Sequence, residues 1–172
     1  MSWALLAAAA AGLNAGSGLH CVLMDAQPSP VNEPALYEAN WHVQRTQAAS
    51  KVNLSSTLAI AAALGSIGAY TTAPANAADP GFITCALVCS TIPIYNALIM
   101  SPTASVVSSK VMDTGAVSPS ERASWLASFQ RKSWISAGLS LTGFGCTLLM
   151  LMSGSGTEEG VRGNPTANPI RF

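Results

Sequence analysis

Charge disappears from four stretches of this chain, residues 1–24, 52–78, 80–109 and 133–157. Each exceeds the roughly 20 residues that a helix needs to cross the ~30 Å hydrocarbon core of a bilayer. Lipid offers backbone N–H and C=O groups no partner, so such stretches satisfy themselves as helices. The pattern predicts an all-α fold, an integral membrane four-helix bundle with spans at about 3–23, 52–70, 82–100 and 133–152. These form a single domain over 1–152, followed by a polar C-terminal tail over 153–172.

Punctuation between the runs sharpens the elements. Trp3 marks one interface of the first span, and Asp25, Gln27, Pro28 and Pro30 close the other. With no Lys or Arg ahead of Arg45, the first run reads as a retained anchor and not a cleaved signal. Asn32 can cap the next helix and Pro34 fits its first turn, after which a helical pattern continues to Tyr70. Its first part, Glu38 to Lys51, is amphipathic and is expected to stand outside the hydrocarbon. Thr71 to Pro80 reads as a loop. The third helix contains Pro93, where a kink is expected, and is predicted to end near Met100-Ser101-Pro102 before a polar segment over 101–117. Ser118-Pro119-Ser120-Glu121 has the spacing of a capping box that opens the fourth helix. The tail is too polar and too rich in Gly and Pro to fold alone.

Composition agrees, since only 9% of residues are charged, too few to cover the surface of a soluble domain. Eight basic and eight acidic residues cancel, which argues against nucleic acid as a partner. Arg45, Lys51, Lys110, Arg122, Arg131 and Lys132 fall between helices one and two or three and four, against Arg162 and Arg171 in the tail. The positive-inside rule then sets both termini on the non-matrix or non-cytosolic side, with the two helix extensions projecting together on the other.

Small residues recur every fourth position, as Ala8, Gly12 and Gly16, as Ala61, Gly65 and Ala69, and as Gly138, Thr142 and Cys146. Such faces let membrane helices approach closely, within the chain or against another protein. Asn14 and Asn96 sit inside spans, where an amide must find a partner. Tyr95, and Asn53 with Ser55, Ser56 and Thr57, fit the same roles of bridging helices or lining a pocket. His20 and His42 fall near one membrane face, yet without Glu-x-x-His or His-x-x-x-His spacing they do not point to a metal. Cys21, Cys85, Cys89 and Cys146 lack a Cys-x-x-Cys pair and read as small apolar residues. Neither a Gly-x-Ser-x-Gly motif nor an acidic residue inside a span is present, so no catalytic residue and no cofactor is assigned.

Four local patterns over about residues 3 to 152 go further. They are Gly16-Ser17-Gly18 running to Pro28-Ser29-Pro30, Trp41-His42-Val43-Gln44-Arg45, Ile99-Met100-Ser101-Pro102-Thr103, and Trp125-Leu126-Ala127-Ser128-Phe129-Gln130-Arg131. In this order they resemble the anthrone oxygenase-like family of small four-helix membrane proteins. The resemblance implies the same fold. The family commonly carries a histidine one turn after that tryptophan, where this chain has Phe129, so the fold is carried over and the activity is not.

Two functions follow as expectations. The first is a non-catalytic accessory subunit of a larger membrane complex, respiratory or otherwise energy-transducing, in the mitochondrial inner membrane. The second is a small membrane oxygenase or binder of a hydrophobic aromatic compound, in a pocket formed by Asn14, His20, His42, Arg45, Asn96, Trp125 and Arg131. Gly12, Gly16, Gly65 and Gly138 are the expected helix-packing positions.

Overall fold

The structure is a computed structural model and describes residues 2–24, 34–74, 78–109 and 117–161. Asn32, Arg162, Arg171 and residues 110–116 of the polar segment, including Lys110, lie outside the described residues. The elements are α1 (Trp3–Met24), α2 (Pro34–Thr72), α3 (Gly81–Tyr95), a π-helical turn (Asn96–Met100), α4 (Ser101–Ser108) and α5 (Pro119–Val161). With α3, the π turn and α4 joined end to end, four rods are long and apolar enough to cross a membrane. The chain is a multi-pass integral membrane protein with an all-α, four-helix architecture.

Side chains are distributed inside out relative to a soluble domain. Ala7, Ala10, Ala11, Ala15, Ala59, Ala62 and Ala63 are buried alongside Asn14, Ser66, Asn96, Ser136, Ser140 and Thr147. Leu5, Leu13, Leu64, Ile67, Leu87, Leu98, Ile135 and Leu149 face outward. In water that surface would be a large apolar patch, whereas lipid accepts it at no cost. Association in lipid relies on close backbone approach, and here glycines provide it. A Cβ at Gly65 would come within 2.9 Å of the Ala7 amide nitrogen, and one at Gly68 within 2.6 Å of the Trp3 ring. On α5, Phe144 lies 3.1 Å from a Cβ at Gly12, and Ala137 3.4 Å from one at Gly18. In both sets the partner number falls as the α1 number rises, so α1 runs antiparallel to α2 and to α5. Met150 stands against Gly81, which puts the start of α3 at the same end of the bundle as Trp3.

The opposite end is packed with large side chains. At about 1.5 Å per residue the 39 residues of α2 extend roughly 58 Å, about twice the hydrocarbon thickness. Its surplus length meets that of α5 in a cluster of Trp41, Ala48, Val52, Met100, Ala104, Val107, Val117, Leu126 and Phe129. The two extensions therefore lie together, covered by α4. Arg122 sits 6.0 Å from the Trp41 ring centre and 3.3 Å from Glu38, whose side chain is 55% exposed. With one partner so exposed, the pair contributes only about 0.2–1 kcal/mol, which makes the apolar cluster the stronger tie. At the start of α5 the Glu121 N–H donates to Ser118 Oγ at 3.2 Å, the first half of the expected capping box.

Two boundaries differ from expectation. The third rod does not stop at Met100-Ser101-Pro102 but runs on to Ser108. A proline ring normally collides with the carbonyl four residues back. Here the preceding turn is π-helical, with the Ser101 N–H bonding the Asn96 carbonyl five residues back, and Pro102 falls in the first turn of α4, where a missing donor costs little. The other difference is that α5 continues past Met152 to Val161, so the tail begins as helix. Extending an existing helix avoids the nucleation cost that a free segment of this composition could not meet.

Candidate functional site

Pro93 removes the N–H that would bond Cys89, and the Asn96 N–H is shared between the carbonyls of Ile92 and Pro93. Single π turns of this kind are frequent at functional sites. The turn opens on Asn96, 1% exposed, which is held from two sides. Its Nδ2 donates to Ser56 Oγ on α2 at 3.1 Å, and Ser136 Oγ on α5 donates to its Oδ1 at 3.2 Å. Ser56 in turn donates to the Val52 carbonyl at 2.9 Å, and Ser140 to the Ser136 carbonyl at 2.9 Å. One amide thus ties three rods together at a depth where lipid offers no substitute.

Beside this bridge is a cavity of about 70 Å³. α1 lines it with Ser17, Gly18 and Cys21, and α2 with Lys51, Val52, Leu54 and Ser55. Asn96 and Met100 contribute from the π turn, and Phe129, Ser133, Ser136 and Ala137 from α5. The Lys51 ammonium donates to Gln44 Oε1 at 3.1 Å, and Gln44 is itself buried. No carboxylate or imidazole is among the lining residues. The cavity therefore offers hydroxyls, an amide, a thiol and one positive charge, a set suited to holding a polar or anionic group. A level closer to the extensions, Lys132 Nζ donates to the buried Thr103 at 2.6 Å while the Tyr95 hydroxyl donates to the Lys132 carbonyl at 3.1 Å.

No family model, curated protein or solved structure matches this chain. Of the seven residues named from the sequence for a polar pocket, Asn96 lines the cavity and the other six do not. His20 and His42 are exposed, and Arg131, also exposed, donates to its own Ala127 carbonyl at 3.4 Å. Arg45 is half-buried on α2, and Trp125 packs against the Trp41 cluster. Asn14 is buried on α1, one turn deeper than Ser17 and Gly18, and its Oδ1 has no hydrogen-bond partner. Among the described residues no group of three or more His, Cys, Asp or Glu is arranged to hold a metal ion.

Sequence reasoning missed Lys51, Ser17, Ser133 and Ser136 as cavity residues, although Ser55 and Ser56 were within its reach. The available signal was hydroxyls at helical spacing, Ser133, Ser136 and Ser140 on α5, with Lys51 and Ser55 one turn apart on α2. A further feature is the meeting of thiols across α3 and α5, where Cys85 and Cys146 lie close together. Cys89 is buried near Gly143, and among the described residues no two cysteines form a disulfide. The glycines divide as well: Gly12 and Gly65 face neighbours inside the bundle, whereas a Cβ at Gly16, Gly138 or Gly145 would meet nothing within 4 Å.

Proposed function

We propose that this chain is a non-catalytic accessory subunit of a larger membrane complex. One observation carries the proposal: two of the glycines that build close helix contacts elsewhere in the chain, Gly16 on α1 and Gly138 on α5, open outward with no neighbour. Both lie within a turn of the Gly18–Ala137 contact, so they share one level of the bundle. Exposed glycine costs backbone entropy and presents lipid with little to pack against, but it admits a second helix at close range. On the same proposal we assign the mitochondrial inner membrane, respiratory or energy-transducing machinery as partner, and both termini to the non-matrix side.

The second function, an oxygenase or binder of an aromatic compound in keeping with the anthrone oxygenase-like resemblance, has less support. A cavity of about 70 Å³ is under half the ~150 Å³ that admits a single benzene ring, and Phe129 occupies the position of the family's histidine. Extraction in mild detergent, followed by native electrophoresis and mass spectrometry, tests the subunit proposal. Co-migration with a large assembly at fixed stoichiometry is expected, with Gly138→Leu releasing the chain as an intact bundle. Migration of the wild-type chain as a lone small particle would contradict it.

A further inference from the structure

The cavity beside Asn96 has properties that the subunit proposal does not use, and they bear on ligand binding whether or not that proposal holds. Leu54 lines the cavity and is also 53% exposed on the outer surface, so the cavity opens sideways into lipid beside α2. Lys51 lines the cavity immediately before the charge-free run 52–78, with its ammonium on a flexible apolar stem and donating to Gln44 Oε1 at 3.1 Å. One turn further in, Ser55 adds a hydroxyl, and Ser133 faces the cavity from α5. Ser133 donates to the Phe129 carbonyl at 2.9 Å, a bond a hydroxyl exchanges by rotating about one torsion.

We propose that this cavity seats the carboxylate of a single-chain amphiphile of the long-chain fatty-acid class, with its hydrocarbon tail lying in the lipid beside Leu54. Charge sets the sign of the ligand: the lining carries one cation and no carboxylate, and in a medium of low dielectric an ammonium–carboxylate hydrogen bond is about twice as strong as a neutral one. Size sets the head. About 70 Å³ matches a planar carboxylate and its first methylenes. A neutral alcohol of equal chain length gains the same apolar contacts without the charged bond.

The test uses the full chain in phosphatidylcholine nanodiscs with radiolabelled palmitate, and competition by hexadecanol, lysophosphatidic acid and acetate. Saturable binding is expected, about tenfold weaker in Lys51→Met and largely retained in Lys51→Arg, with hexadecanol competing about tenfold less well than unlabelled palmitate and acetate not at all. Ser55→Leu fills the cavity and is expected to abolish binding, with gel filtration reporting whether each variant still forms the bundle. Absence of saturable binding, equal affinity in a folded Lys51→Met, or equal competition by hexadecanol would overturn the proposal. Tighter competition by lysophosphatidic acid would also overturn it by making phosphate the preferred head. If none of these variants folds, the comparison of palmitate with hexadecanol on the wild-type chain decides.

Discussion

Two asparagines inside spans look alike along the chain and differ in the bundle. Asn96 has both ends of its amide engaged, by Ser56 and Ser136, whereas the buried Oδ1 of Asn14 has no partner. Removing Asn96 leaves two hydroxyls short of a partner, so Asn96→Ala is expected to destabilise by about 1 kcal/mol, the scale of interhelical hydrogen bonds in membranes. Asn14→Leu replaces an unsatisfied amide with an apolar group of similar size, and stability is expected to stay level or rise. Thermal unfolding in detergent, followed by tryptophan fluorescence, distinguishes the two. A larger loss in Asn14→Leu than in Asn96→Ala would show that the Asn14 amide has a partner after all. The need of each amide for a partner was legible in the sequence. Which one obtains it was not, because that depends on the rotation of α1 and α3 about their axes, and a chain of small residues leaves that rotation unmarked.

At the level of elements, the glycines rank themselves by what faces them. A Cβ at Gly65 meets the backbone of Ala7 at 2.9 Å, which can yield only if a helix moves. At Gly12 it meets the edge of the Phe144 ring at 3.1 Å, and at Gly138 nothing within 4 Å. Gly65→Ala is expected to cost about 1–3 kcal/mol by overpacking, Gly12→Ala less, and Gly138→Ala to leave the isolated bundle unchanged. Melting temperatures in that order support the register; a loss at Gly138 equal to that at Gly65 contradicts it. The spans themselves were legible because charge is so costly in lipid that its absence over 20 or more residues is decisive. Their ends were less so. Pro102 read as a stop because proline normally breaks a helix, and the π turn that removes the conflict depends on Asn96 finding partners on α2 and α5. The histidines and arginines of the expected pocket dispersed for a similar reason: His20, His42 and Arg131 fall on outward faces, a matter of helix phase, while shorter serines fill the inward ones.

The whole molecule combines two kinds of packing along one axis. Within the membrane, alanine, glycine and serine bring backbones together, with Ala10, Ala11, Ala62, Ala63 and Cys89 as one tight cluster. At the other end of the bundle, α2, α4 and α5 close around Trp41, Leu126 and Phe129. Each regime suits its solvent, since large side chains gain little by turning inward from lipid but a great deal by leaving water. The cavity with Lys51 lies between the two. Four crossings with the large-residue layer confined to one side make the central claim, and site-directed labelling tests it most directly. In a chain with its native cysteines replaced, Thr46→Cys in the extension of α2 and Ala73→Cys just beyond its far end are each exposed in sealed vesicles to a membrane-impermeant maleimide. Labelling of the two positions from opposite faces is the predicted result, and labelling of both from the same face would contradict the architecture.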